Sequence, residues 1–298
     1  MLPAVMSGSG YRFRLGDFRC VVVSDGAYTY PNPARTFFID APKERLREKL
    51  LAQEIQLDEW TEFVSDYSCL LVDTGMHRVL IDTGGGALST TTGKLRTNLQ
   101  ALGFRPEDID TVVLTHAHSD HIGGNVGSDG RPAFPSSRFK IARAEWDFWT
   151  AEPDLSRLRI PANIQKVLAS VGRAHLLPIR AQVDLIEPGE EIEPGILSVA
   201  TSGHTPGHLA IDVSSQGEHL LYVSDAILHP LHIEEPDWNA SLDIAPNEAA
   251  ESRRRLLRLA TSERALVHGF HFPFPGLGRV EPAGEGWSWK PLAIPPET

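Results

Sequence analysis

The sequence predicts a layered α/β domain, and three observations lead there. With 298 residues, 41% of them hydrophobic and 22% charged, the chain can bury a full core. Short apolar runs rich in β-branched residues recur along it, most of them closing on Gly, Asp or Thr, which is how strands run into turns. Between these runs lie stretches with leucines at helical spacing. Strands that lead and helices that intervene build sheets covered by helices. Residues 1–298 are read as one domain, with a short N-terminal extension over about residues 1–10.

In chain order, strands are expected at "FRCVVVSDG", "YSCLLVDTG", "HRVLIDTGGG" and "IDTVVLTHAH", each running into a turn. Helices are expected at "PKERLREKLLAQE" and at "KLRTNLQALG", the second stopped by Gly103. After a strand at "FKIA" come helices at "RAEWDFW" and "NIQKVLASVG". Strands follow at "VDLIE", "LSVATSG", "LAIDVSS" and "HLLYVSD", then a helix near 246–260 behind Pro246, and finally the segment "RALVHGFH".

Composition narrows the function classes. The formal net charge of -11 argues against a nucleic-acid partner, because binding a phosphate backbone relies on clustered Lys and Arg. The one basic run, "SRRRLLR" at 252–258, carries leucines at helical spacing and is read as the solvated face of a helix. The opening segment lacks a basic start followed by an apolar stretch, and no later run approaches the ~18 apolar residues of a membrane span. A cytoplasmic location without a membrane partner is therefore expected. Cys20 and Cys69 sit inside apolar segments and are expected to be buried free thiols.

The chemistry concentrates in "LTHAHSDHIGG" at 114–124, where His116, His118, Asp120 and His121 crowd together directly after an apolar run. If strand geometry persists, His116 and His118 lie on one side, since alternate residues share a face. Asp120 and His121, in the turn that follows, then aim at a second point nearby. Gly123 and Gly124 remove side chains where the backbone must pass close to such a site. Imidazole and carboxylate suit zinc and similar borderline divalent metals, and two adjacent sets imply two ions. Further donors follow later strand ends: His204 in "TSGHTPGH", Asp225 in "LLYVSDAI", and His268 and His271 in "VHGFHFPFPG". A carboxylate such as Asp225 can bridge two ions through its two oxygens. With every station at a strand end, one rim of a sheet sandwich carries the chemistry.

These motifs resemble the metallo-β-lactamase superfamily. "THAHSDH" is similar to its H-x-H-x-D-H signature, "SGHTPGH" to the following histidine motif, "SDA" to the bridging-acid motif and "LIDTGGG" to the strand and turn upstream. The resemblance implies a four-layer αβ/βα sandwich with a binuclear site on one edge. It also implies the ligand sets: His116, His118 and His204 for one ion, Asp120, His121 and His271 for the other, with Asp225 shared. His271 is preferred to His268 because "HFPFPG" is the part that matches. Zinc is the expected metal, with manganese, cobalt or iron as alternatives.

Within the superfamily, Asp225 stands where the best-known zinc β-lactamases carry Cys, which disfavours a penicillinase. His118 stands where diiron flavoproteins usually carry Glu, and the tail "GWSWKPLAIPPET" is unlike the helical C-terminal segment of glyoxalase II. "GFHFPFPGLGRV", "FRLGDFRCVVVSDGAYTYP" and "AEWDFW" look like the group of methyl parathion hydrolase, dihydrocoumarin hydrolases and lactonases. That resemblance implies a hydrolase of lactones or of aryl and alkyl esters, with phosphotriester hydrolysis as a side activity, and a homodimer. The alternatives are organophosphate hydrolysis as the main activity and a non-catalytic, metal-containing ligand-binding or regulatory module.

Two cations that share a water make it a nucleophile at neutral pH. The expected catalytic residues are Asp120, which orients that nucleophile and passes a proton to the leaving oxygen, and Asp225, which fixes the metal separation. Trp146, Phe148, Trp149 and Trp238 are expected as aromatic pocket surface, Trp149 first among them by resemblance. His208 is expected to orient a ligand from behind. His77, His175 and His219 are expected to be exposed, and His229, His232 and His268 to be non-ligands.

Overall fold

The structure is a computed structural model and describes residues 5–293. Strands β1 (Val5–Ser7), β2 (Gly10–Leu15), β3 (Phe18–Pro31), β4 (Glu62–Asp73), β5 (Arg78–Ile81), β6 (Thr111–Leu114), β7 (Arg138–Ala142) and β8 (Val183–Ile186) pair in chain order into one sheet. Its first half is antiparallel, and β5 to β8 run parallel. Strands β9 (Glu191–Glu193), β10 (Ile196–Ala200), β11 (Leu209–Ser215), β12 (Glu218–Tyr222), β13 (Leu266–His268), β14 (Leu277–Ala283) and β15 (Gly286–Pro291) form the second sheet in reverse chain order. Only the β12–β13 pair in it is parallel. The helices are α1 (Pro33–Phe37), α2 (Lys43–Leu51), α3 (Leu95–Ala101), α4 (Ser119–Ile122), α5 (Arg143–Thr150), α6 (Ala162–Leu176), α7 (Leu231–Glu234) and α8 (Pro246–Ser262).

Side-chain alternation sorts the layers. Leu209, Ile211 and Val213 of β11, with Leu220 and Tyr222 of β12, enter the core shared with the first sheet. Their neighbours Ala210 and Leu221 point the other way, into a second core with Leu256, Leu257 and Ala260 of α8, as the two-residue period of a strand requires. On the first sheet α3 packs on β3 and α5 on β7 and β8, with α6 against α5. The result is helix, sheet, sheet, helix, the expected four-layer sandwich. Val22, Leu70, Leu80 and Val113 are wholly buried, and the residues beside them are buried too, which is why each of β3 to β6 contains a continuous apolar run, at residues 20–23, 69–72, 79–81 and 112–114.

The structure also adds elements that the sequence patterns hide. Val5–Ser7, assigned to an extension, pairs with β2 as an edge strand; residues 1–4 lie outside the described residues. The tail forms the β14–β15 hairpin, whose two-residue turn closes through Gly284 at φ +58°, a conformation open to glycine at little cost. Helix α8 corrects the reading of "SRRRLLR": Arg254, Arg255 and Arg258 lie outward, but Arg253 is 0% exposed. It stands three and four positions before Leu256 and Leu257 and so shares their buried face. Its Nε donates to Ala226 O at 2.8 Å and its Nη1 to Pro236 O at 2.7 Å. Cys20 and Cys69 are buried free thiols, as expected. No described helix is long and apolar enough to cross a membrane.

Candidate metal centre

Strand β6 ends at Leu114, and the chain passes His116 and reaches His118, whose backbone is extended, before α4 carries Asp120 and His121. His204 follows β10, Asp225 follows β12 and His271 follows β13. These ends share one rim, so residues far apart in sequence meet in space. The return of the chain past α4 is tight: a Cβ on Gly124 would overlap the Thr83 carbonyl, and one on Gly123 the Gly85 carbonyl.

Two groups of donors result. His116, His118, His204 and Asp225 form one, and Asp120, His121, Asp225 and His271 the other; within each group the donor atoms lie within 4.8 Å of one another. Asp225 divides its oxygens between them. Oδ2 stands 3.6 Å from His116 Nε2 and 3.3 Å from His204 Nε2. Oδ1 stands 3.0 Å from His121 Nε2 and 3.3 Å from His271 Nε2. Asp120 Oδ2 completes the second group at 3.5 Å from His271 Nε2, and His118 Nδ1 faces His204 Nε2 at 3.0 Å in the first.

Contacts behind the rings set which nitrogen faces inward. His121 Nδ1 lies 2.8 Å from Asp82 Oδ2, and His204 Nδ1 lies 2.7 Å from Asp243 Oδ1. An ionised carboxylate only accepts, so Nδ1 carries a hydrogen in both rings and Nε2 is the nitrogen that faces the centre. His271 Nδ1 meets Ser65 Oγ at 3.0 Å and His116 Nδ1 meets Thr115 Oγ1 at 3.2 Å. His208 stands behind the bridging acid, its Nε2 accepting from the Asp225 backbone N–H at 3.2 Å.

The donor set fits two divalent ions. His116 Nε2, His121 Nε2 and Asp225 Oδ1 are buried without an aligned hydrogen-bond partner, an arrangement that is costly unless a cation answers it. Burial pushes His116 and His118 well below the ordinary histidine range, so both rings are neutral donors. Burial acts on His121 and His204 in the same direction, but carboxylates outweigh it. Asp225, Asp82 and Asp120 hold His121 well above its usual range, and Asp225 with Asp243 lifts His204 to about 9. Burial likewise opposes ionisation of Asp225, yet His121, His271 and His116 hold it well below the usual carboxylate range. Protons are thus drawn into positions suited to divalent cations, and the N and O donors are those zinc accepts.

The aromatic expectations need correction. Trp149 is 0% exposed; its ring meets His118 edge-on at 5.5 Å, so it backs a ligand and offers no surface to a substrate. Trp238 is 6% exposed and packs at 5.7 Å on Phe38, in a cluster with Leu46, Leu50 and Leu231. Both residues fall on the inward faces of their segments, which composition alone does not reveal. Trp146 and Phe148 are half-buried. His175 and His219, expected outside, are half-buried as well, His219 through its contact with Asp212 at 3.1 Å. His229, His232 and His268 are buried and belong to neither donor group.

Several residues at the centre are not among those singled out from the sequence, although most lie in stretches quoted above. Asp82 directly follows β5 in "LIDTGGG" and accepts hydrogen bonds from Thr115 and Tyr222 besides its contact with His121. Asp243 has no motif around it. Tyr30, at the end of β3, places its hydroxyl 2.7 Å from that of Tyr67 and 3.3 Å from Asp120 Oδ2. Glu145 lies in "AEWDFW", beside the aromatic residues expected to line the pocket.

A profile of the metallo-beta-lactamase superfamily matches residues 64–271. An N-acyl homoserine lactonase of Bacillus cereus is 27% identical over 225 residues, covering 68% of this chain and 80% of that protein. Among solved structures, AidC, a dizinc quorum-quenching lactonase in complex with a product, N-hexanoyl-L-homoserine, is 26% identical. It aligns with a TM-score of 0.88 over 96% of this chain and 98% of its own. The hydrolase AbOPH, also of the beta-lactamase superfamily, shares the fold at 24% identity and a TM-score of 0.85, over 98% of this chain and 100% of its own.

Proposed function

The chain belongs to the metallo-beta-lactamase superfamily, and from that premise we propose that this metal-dependent hydrolase opens the ring of N-acyl homoserine lactones at a two-ion centre. The observation that carries the reading is Asp225, whose two oxygens face two separate sets of ligand atoms. The lactone is favoured by the similarity to two lactonases, one of them aligned along nearly the whole chain.

When bound, two divalent ions, zinc first among them, supply a nucleophile at neutral pH and Lewis acidity toward the substrate oxygen. His116, His118 and His204 would hold one ion and Asp120, His121 and His271 the other, with Asp225 offering an oxygen to each. Asp120 orients the attacking water and carries its proton to the ring oxygen that leaves, so that the lactone becomes a hydroxy acid. The Tyr30 hydroxyl, 3.3 Å from Asp120 Oδ2, keeps that carboxylate turned toward the centre. His208 steadies the Asp225 backbone. Trp146 and Phe148 keep some surface free for an acyl chain.

The test compares kcat/KM of the zinc-loaded protein on N-hexanoyl homoserine lactone and on a nitrophenyl phosphotriester, with a metal-stripped control. A metal-dependent preference for the lactone is expected. Preference for the phosphotriester would transfer the reading to organophosphate hydrolysis, and stoichiometric lactone binding without turnover would leave a ligand-binding module.

A further inference from the structure

Glu145, on α5, is wholly buried, yet no ion pair neutralises it among the described residues. It is satisfied by four neutral donors. Oε1 accepts from the backbone N–H of Ala117 at 2.9 Å and from Trp149 Nε1 at 2.7 Å. Oε2 accepts from the Thr205 hydroxyl at 2.7 Å and from the backbone N–H of Gly207 at 2.9 Å. The positions of these donors matter. Ala117 lies between His116 and His118, while Thr205 and Gly207 lie between His204 and His208. One carboxylate therefore ties together the two loops that bring three imidazoles to a single point. None of its four bonds reaches Asp120, His121 or His271.

Two further features show that this contact is built closely. A Cβ on Gly207 would overlap the Glu145 backbone nitrogen, so glycine at that position lets the loop reach the carboxylate. Trp149, held to Glu145 by its ring N–H, presents the same ring edge-on to His118. A Cβ on Gly172 would come within 2.9 Å of that ring, so α6 also fits it closely. The chemistry requires a carboxylate here. Four donors converge on two oxygens, whereas an amide offers one oxygen and turns an NH2 toward two of them. Buried donors left without an acceptor are costly, and the loops would separate to reach other partners.

We propose that Glu145 is a positioning residue that sets the affinity of the His116, His118 and His204 position for its ion, independently of the Asp120, His121 and His271 position. The proposal rests on the two-ion reading of the centre. Its test is a cobalt(II) titration of metal-stripped wild-type and Glu145→Gln proteins, followed by visible absorption and by chelator competition. Thermal unfolding of the metal-free forms is measured alongside. Wild type should take up two equivalents. Glu145→Gln should keep one equivalent at wild-type affinity and bind the other ~10–100-fold more weakly, the usual scale for losing an outer-shell partner.

The weakened position is identified in a His271→Ala background, where the one tight equivalent that remains should be lost on adding Glu145→Gln. Equal weakening of both positions, as a merely structural role would give, overturns the proposal, as does unchanged affinity at both. If metal-free Glu145→Gln does not fold, Thr205→Val removes one of the four bonds and should still weaken a single position; equal losses there overturn the proposal too. Wild type that binds fewer than two equivalents would instead overturn the two-ion reading, and the proposal with it.

Discussion

Around His116, His118 and His204 the bracing carboxylate, Glu145, bonds to backbone, hydroxyl and indole groups and to no ligand ring, whereas Asp82 bonds directly to the ring of His121 at 2.8 Å. The charge of the two halves differs as well. The first holds three imidazoles and only the shared Asp225; the second holds two imidazoles and adds Asp120. The other bonds to Asp82 come from the neutral Thr115 and Tyr222, whereas His204 does have its own carboxylate, Asp243, but the buried Arg253 guanidinium stands 3.8 Å from that group. Part of its charge is therefore already answered. The first half depends mainly on the spacing of two loops, the second mainly on negative charge placed against and behind its rings.

Substitutions can break or sharpen that contrast. The largest effect belongs to the group the halves share: Asp225→Ala should lose both ions and lower kcat by ~10³-fold, as loss of a principal electrostatic group does. Metal analysis beside the rate checks this, and full rate with both ions retained would remove Asp225 from the centre. Next, Asp82→Asn and Asp243→Asn replace a charge by a neutral group of similar shape. The first should weaken the ion at Asp120, His121 and His271 by ~100-fold, the second the ion at His116, His118 and His204 by only ~10-fold, the two ends of the outer-shell range. Equal losses in chelator competition would erase the distinction between charge and spacing. The smallest effect is expected from Tyr30→Phe. Its bond to Asp120 is long, and losing about 1 kcal/mol corresponds to a ~5-fold fall in kcat; an unchanged kcat would place the hydroxyl outside the reaction.

Much of the centre was legible because its ligands sit in short motifs at strand ends. "THAHSDH" puts four donors into one turn, and "SGHTPGH", "SDA" and "HFPFPG" each add a donor after a further strand. The strands were legible for a related reason, since burial on both faces places a short apolar run inside each of β3 to β6, at residues 20–23, 69–72, 79–81 and 112–114. What supports the ligands was not legible. Glu145 and Asp243 act across 28 and 39 positions of sequence, on Ala117 and His204 respectively, and nothing local marks a carboxylate whose partners arrive from another loop. Arg253 looked like one arginine of a basic run, because spacing identifies a helical face but does not reveal that it meets three carbonyl oxygens and Asp243. Trp149 shows the same limit from the other side: an aromatic residue near a site reads as pocket wall until packing shows its ring enclosed.

The most direct test of the account is turnover of the proposed substrate measured while zinc is added stepwise to metal-stripped protein, with bound zinc counted at each step. The rate should stay low through the first equivalent and reach its maximum as the second binds. A rate that is complete at one equivalent, or that persists without metal, would contradict it.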